Sequence, residues 1–175
     1  MYGVDLIVKA MSEVLKTNPD IPLVARIAGS GLQKDELMEL AVSLGVNDRI
    51  SWLGFITQQR AAIEWASMDL AIIPSYQESF CVAAVEAQAC GTPVVISDIP
   101  GLMETTSPGE SSQVIARGNA KMLAEEILNL YLNRNQRKRM GEIGRKQVAE
   151  KYELNYCFRR IEEIYQKISN TGDIG

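Results

Sequence analysis

Hydrophobic positions along the chain switch between two periods. Val4, Ile7, Met11, Val14 and Leu15 recur at helical spacing, and Asn18-Pro19 ends that run. Residues 22–28 then form an apolar run closed by Gly29-Ser30-Gly31, the pattern of a buried strand and a turn. Residues 32–44 are amphipathic, with Leu37, Leu40, Ala41 and Leu44 on one face and Gly45 as the stop. A short strand is expected over 49–54, and a helix over 58–67 with Ala62 and Trp65 turned inward. Next come an apolar strand over 70–74, a helix over 80–90 stopped by Gly91, and a strand over 93–97. After Gly101 the chain loosens through Ser107-Pro108-Gly109, before a last strand over 113–116. Three more highly charged helices are expected over 120–132, 136–151 and 156–168, with 170–175 as a frayed tail.

Short strands without polar alternation are buried on both faces, so their alternation with helices predicts a parallel sheet covered on both sides. The expected fold is a single α/β domain over 1–169, a doubly wound Rossmann-like sheet with helices on both faces. One irregularity stands at the front. The chain opens in a helix, whereas the first crossover helix of a βαβ unit follows a strand. A strand upstream of Met1 is therefore expected, with the chain as part of a longer protein; the alternative is a variant of the fold that begins with a helix.

Composition narrows the chemistry. At 175 residues, 46% hydrophobic and 23% charged, the chain is long enough to bury a core without disulfides or metal. Lys plus Arg number 18 against 22 Asp plus Glu, a net charge of −4, which gives no broad polyanion surface; nucleic acid is not an expected partner. There is no histidine, which removes Ser-His and Cys-His dyads and histidine metal ligands. Cys81, Cys90 and Cys157 lack CxxC spacing, so neither a disulfide framework nor a zinc site is expected, and a cytoplasmic, reducing location fits. No apolar run reaches the 18 or so residues of a membrane span, and the first residues lack the basic start of a signal peptide.

The candidate chemistry lies in residues 74–95, which read strand, loop, helix, tight stop, strand. In open α/β sheets ligands sit beyond the carboxyl ends of the strands, where this loop falls. Ser79 is a candidate N-cap that leaves the backbone N–H groups of Phe80, Cys81 and Val82 to meet an anion at the positive end of the helix dipole. At 100° per residue Glu86 lies within about 20° of Ser79 on the helix wheel, while Gln88 points about 160° away. With Gln88 facing solvent, Glu86 looks inward, and a ribose diol below a diphosphate would supply the donors that a buried carboxylate needs. The alternative on pattern alone is the reverse, Gln88 buried and Glu86 solvated. Glu78 either meets the ligand or stabilises the helix dipole.

Glu78 and Glu86 stand as E-x7-E inside P-S-x-x-E-S-F-C-x-x-x-x-E-A-x-A-C-G-T-P-V-V. This segment closely resembles the donor-binding signature of the group 1 family of retaining GT-B glycosyltransferases. The resemblance extends over Gly3-Val4-Asp5-Leu6-Ile7, Ile27-Ala28-Gly29-Ser30-Gly31, the stretch from Arg49 to Phe55, Met68-Asp69-Leu70 and the stretch from Ser97 to Glu104. It implies the C-terminal, donor-binding half of a GT-B enzyme that moves a sugar from a UDP- or GDP-linked donor to a glycan or glycolipid. By position, Glu78 would contact the donor sugar and Glu86 the ribose. The amides around Phe80, Cys81 and Val82 would meet the diphosphate, with Ser79 beside them. The turn at Phe55-Ile56 would flank the base, and Gly29 and Gly31 would keep the neighbouring turn open. The resemblance implies no metal and no cofactor besides the donor. It also implies an N-terminal acceptor domain as partner, through which the full protein would touch a membrane surface if it does so at all. Enzymes of this kind use the donor's own phosphate as base, which suits a chain with no histidine.

The chain departs from the family pattern in places. Ser79 and Cys81 replace the two glycines of E-G-F-G, and Tyr2 stands where a diphosphate-binding Lys is expected. The partner Arg would lie upstream of Met1, so diphosphate binding by this chain alone is expected to be weak, with no transfer. Three other readings compete: a dinucleotide-dependent dehydrogenase, a GT-B epimerase of nucleotide sugars, and a non-catalytic binding module. The first is weakened because Lys34 occupies the third glycine position of G-x-G-x-x-G.

Overall fold

The helical spacing at the start of the chain becomes α1 (Val4–Thr17), and this helix is buried on more than one side. Leu6, Ala10 and Val14 pack with Val95, Ile115, Leu123, Ile127 and Leu130. Val8 and Met11 pack instead with Ala41, Val46 and Ile50. Such two-sided burial requires apolar residues over a wide arc of the helix, which the run Leu6, Ile7, Val8, Ala10, Met11 supplies. The computed structural model describes residues 2–171, so 172–175 of the expected tail lie outside it.

The strands are β1 (Ala25–Ala28), β2 (Ile50–Gly54), β3 (Ala71–Ile73), β4 (Val94–Ser97) and β5 (Ser112–Ile115). All pairings are parallel, as expected for an α/β fold. The strands form two sheets, however, ordered β1-β2 and β3-β4-β5, and β1 does not pair with β3. In the larger sheet every residue of β4 is buried. Val95 faces α1 and α6 (Ala120–Leu132), whereas Val94 and Ile96 face α4 (Val82–Ala89) and α5 (Pro100–Thr105). In the smaller sheet β1 alternates half-buried and exposed residues, so the expected fully buried strand is not what forms there.

Other boundaries follow local chemistry. α3 (Gln58–Ser67) starts where the Thr57 hydroxyl accepts from the Arg60 N–H at 3.3 Å. α6 starts where the Asn119 side chain accepts from the Met122 N–H at 2.9 Å. α2 (Lys34–Ser43), α7 (Arg134–Lys151) and α8 (Leu154–Thr171) complete the set, and α5 occupies a stretch that the sequence leaves irregular. Within α3, Ala62 is exposed, contrary to the expected inward position, and Glu64 is buried at 3% exposure. The chain tolerates that carboxylate because two guanidinium groups neutralise it: Arg60 Nε donates to Oε1 at 2.6 Å, and Arg26 Nη1 lies 3.0 Å from Oε2.

Gln88 also corrects the wheel. It is fully buried rather than solvated, because α7 crosses the face of α4 opposite Glu86. The crossing is close: a Cβ on Gly141 would lie 2.0 Å from the Gly91 carbonyl oxygen, and one on Gly144 would crowd the Gln88 side chain. Gln88 Nε2 donates to the carbonyls of Ala84 at 3.0 Å and Thr105 at 2.9 Å, while Ser111 Oγ donates to Gln88 Oε1 at 2.8 Å. Ser107 Oγ donates to Gln147 Oε1 at 2.6 Å and extends the network into α7. Gln88→Ala removes the Gln88 donor from the Thr105 carbonyl and the nearer acceptor from the Ser111 hydroxyl, and should cost about 1–3 kcal/mol of stability. Urea unfolding followed by circular dichroism measures it, and a midpoint equal to that of the parent chain would show the network to be dispensable.

Candidate functional site

The carboxyl ends of β1 and β3 open on one cavity of about 1780 Å³. Three connections form its mouth: the entry to α1 at Gly3, the turn after β1, and the loop from β3 to α4. Gly3 sits at φ 66°, and a Cβ there would lie 2.0 Å from the Pro74 carbonyl oxygen. Only glycine allows α1 to start against the end of β3 in this way. The α1 entry and the β3 loop are also tied by side chains, since Tyr76 Oη donates to Asp5 Oδ2 at 3.2 Å and Lys9 Nζ donates to the same oxygen at 2.8 Å.

Of the residues expected from the sequence, Glu78, Phe80, Cys81, Val82, Glu86, Gly29, Gly31, Phe55 and Ile56 all line this cavity. Ser79 does not, and it is not the N-cap: α4 begins at Val82 with Cys81 in the cap position and no side-chain cap. The reason is local. The Ser79 amide is taken by its neighbour's carboxylate, Glu78 Oε1 at 3.2 Å, and the Phe80 ring meets Tyr152 edge-on at 5.8 Å between centroids. The first intrahelical bonds are made by the amides of Ala84 and Val85 to the Cys81 carbonyl. The amides of Phe80, Cys81 and Val82 thus precede the helical ladder at the positive end of α4, as an anion site requires. Glu86 follows Val82 by one turn on the cavity side and is half-buried, which corrects the expectation of a carboxylate fully turned inward. Phe55 is 84% exposed at the rim and Ile56 half-buried beside it.

Gly101 in α5 is a positioning residue that sequence reasoning passed over. A Cβ on it would lie 2.4 Å from the Glu78 carbonyl oxygen and 2.6 Å from Ser79 backbone atoms. The loop carrying Glu78 is therefore held against α5 by backbone contact alone. A Pro-Gly pair right after a short strand was the available signal, and it was ambiguous between a loop and a helix start.

Cys81 is buried at the helix start, and that burial pushes its thiol above the ordinary range. The amides of Ala84 and Ala83 partly oppose the shift, while the negative charges of Glu78 and Glu86 reinforce it. A thiol held protonated is a small filler and not a nucleophile. Among the described residues no group of three His, Cys, Asp or Glu side chains is placed to hold a metal ion, and no helix is long and apolar enough to cross a membrane.

Residues 1–147 match the family model described as glycosyl transferases group 1. The chain belongs to that family. The group 1 glycosyltransferases most similar to it include a D-inositol 3-phosphate glycosyltransferase of Streptomyces bingchenggensis, 32% identical over 168 residues, or 92% of this chain and 37% of that protein. Another of the same name, from Nocardia farcinica, is 34% identical over 142 residues, or 78% of this chain and 32% of that protein. The chain thus spans about a third of the length of these curated relatives. Among solved structures, sucrose-phosphate synthase from Thermosynechococcus elongatus superposes with a TM-score of 0.85 at 25% identity, over 97% of this chain and 43% of that one. Anabaena HepE in complex with UDP-glucose superposes with a TM-score of 0.84 at 22% identity, over 95% of this chain and 45% of that one. The C-terminal domain of a group 1 protein from Francisella tularensis, LpcC, gives a TM-score of 0.75 at 22% identity, over 87% of this chain and 80% of that one. The fold is that of one GT-B glycosyltransferase domain.

Two outcomes check this geometry. Gly101→Ala forces α5 and the Glu78 loop apart and should cost about 1–3 kcal/mol in denaturant unfolding, the usual range for overpacking. Because its pKa is raised, the Cys81 thiol stays protonated at neutral pH and gains reactivity only as pH climbs past the ordinary thiol range. Mass-spectrometric alkylation rates with iodoacetamide should therefore be slower at Cys81 than for a free cysteine.

Proposed function

We propose that this chain is the donor-binding, C-terminal domain of a retaining glycosyltransferase that takes a UDP- or GDP-linked sugar. The observation that carries the reading is the arrangement at the start of α4. Three amides precede the helical ladder, and two carboxylates, Glu78 and Glu86, line the same cavity one on each side of them. The amides and the helix dipole stabilise the diphosphate in place, and stabilise it more as negative charge develops on it when the glycosidic bond breaks. Glu86 accepts from the ribose hydroxyls and Glu78 from the sugar hydroxyls, which fixes the donor's anomeric carbon toward the acceptor side. The exposed turn at Phe55-Ile56 flanks the base. Support also comes from family membership and from the fold shared with HepE, whose own complex holds UDP-glucose.

On this reading the acceptor is a glycan or glycolipid held by a separate N-terminal domain. The isolated chain binds donor without transferring sugar, and the enzyme acts in the cytoplasm. The diphosphate here is met chiefly by backbone, since Tyr2 rather than a cation stands at the α1 entry.

Calorimetric titration with UDP, GDP, UDP-glucose and NAD tests the proposal. Binding of a uridine or guanosine diphosphate at millimolar concentration or tighter is expected, and NAD binding in preference to both would overturn it. Glu86→Ala should weaken nucleotide binding by about 1–3 kcal/mol through its lost charge-assisted hydrogen bonds. Unchanged affinity in a folded variant would remove Glu86 from the ribose role.

A further inference from the structure

α7 runs antiparallel along α4 and keeps step with it. Gly141 packs on the Gly91 carbonyl, just past the end of α4, and Gly144 packs on the Gln88 side chain. The same step-for-step pairing leads from Gly144 to Tyr152 on one chain segment and from Gln88 to Phe80 on the other, and those two rings meet edge-on with their planes at 80°. This last contact falls just outside both helices. Phe80 precedes the first residue of α4, Val82, and Tyr152 follows the last residue of α7, Lys151. The helix pair is thus closed by an aromatic contact at the end where the three amides precede the helical ladder.

The segment that Tyr152 meets has little backbone bonding of its own. The Ser79 N–H donates to the adjacent Glu78 carboxylate rather than to another element, and Phe80 is 44% exposed, so burial in a core does not fix it. Gly101 backs the Glu78 and Ser79 backbone, and Cys81 is buried; between these two anchors Phe80 is met by Tyr152. An edge-on ring pair has a preferred orientation as well as a preferred distance, because the positive rim of one ring faces the negative face of the other. Tyr152 is itself held. It is half-buried, and its Oη donates at 3.5 Å to the carbonyl of Glu104 in α5, the helix that carries Gly101. Burial pushes its phenol above the ordinary range, and the charges of Glu104 and Cys157 add to the shift, so Oη stays protonated. Phe80, Cys81 and Val82 line the cavity and Tyr152 does not, so any effect of Tyr152 on a bound ligand passes through Phe80.

We propose, on the donor-binding reading above, that Tyr152 is a positioning residue for the diphosphate. Its ring fixes Phe80, and through Phe80 holds the amides of Phe80, Cys81 and Val82 in the arrangement that receives the anion. Oriented amides stabilise charge most when they are held before the charge arrives. A loop that has to be ordered by the ligand subtracts that ordering from affinity.

Two NMR measurements on the isotope-labelled chain separate positioning from donor binding. Without ligand, the amide order parameters of Phe80 and Cys81 should be about 0.85 in the parent and below about 0.6 in Tyr152→Ala, with Ala84 and Ala87 of α4 unchanged. The Oη contact with Glu104 is long, so Tyr152→Phe should keep the parent's order. With ligand, UDP or GDP, whichever binds the parent more tightly, is titrated beside its nucleoside. Tyr152→Ala should weaken the diphosphate by about tenfold or more, the equivalent of one charge-assisted hydrogen bond, and leave the nucleoside unchanged. Tyr152→Phe should bind both as the parent does. Equal weakening of diphosphate and nucleoside in Tyr152→Ala would make Tyr152 a merely structural residue and overturn the proposal. Parental order at Phe80 or parental diphosphate affinity in that variant would overturn it too. Tyr152→Leu, which keeps apolar bulk without a ring, is judged by the same criteria should the alanine variant not fold. A parent that binds neither diphosphate overturns the donor reading and the phosphate role with it, and the order parameters then show separately whether the ring holds the loop.

Discussion

The burial of α1 on two sides holds the rest of this domain in place. The two sheets do not hydrogen-bond to each other, so side-chain packing has to join them. Leu6, Ala10 and Val14 belong to the core under β4, β5 and α6, and Val8 and Met11 to the core over β2 and α2. Fully burying a Leu, Val or Met side chain contributes about 1.5–3 kcal/mol, so Leu6, Val8, Met11 and Val14 together outweigh any single polar contact in the molecule. The helix is set in register by a steric fact at its first turn, where Gly3 leaves room for the Pro74 carbonyl and nothing larger fits.

The site inherits its geometry from that arrangement. The end of β3 continues directly into the loop that bears Glu78, and this loop is fixed from two directions. Tyr76 is held by Asp5 of α1, and Gly101 of α5 lies against the Glu78 and Ser79 backbone. α4 is in turn clamped from behind by α7 through Gly141, Gly144 and the Gln88 network. Glu86 consequently lines the cavity from a rigid helix, with Phe80, Cys81 and Val82 at and before its first turn. The same end of α4 holds no histidine, and burial keeps the Cys81 thiol protonated.

Much of this was legible in the residues because the relevant signals are local. Apolar periodicity placed α1, α3, α4 and α6 and the order of all five strands, and the E-x7-E segment picked out a loop and helix that do line the cavity. The misreadings share a cause. Gln88 looked solvated because a wheel treats a polar residue as outward, whereas α7 covers that face and supplies partners. The burial of Glu64 has the same long-range origin, since Arg26 arrives from β1, 38 positions earlier, to neutralise it. Ser79 has the chemistry of an N-cap, but the Glu78 carboxylate and the Gly101 contact hold its backbone outside the helix.

The sequence by itself determined the class of fold, the parallel pairing of its strands and a loop and helix that line the main cavity. Those depend on hydrophobic period, glycine placement and residue type over windows of ten to twenty positions. Tertiary structure decided which polar residues are buried, where α4 begins, and that the sheet is divided between β1 and β3. Each of these depends on which distant backbone or charged group comes within hydrogen-bonding distance, a quantity that no local window contains. The division of the sheet is the clearest case: five similar apolar runs do not say which strands pair, and only the packing of α1 between two cores sets β1 and β3 apart.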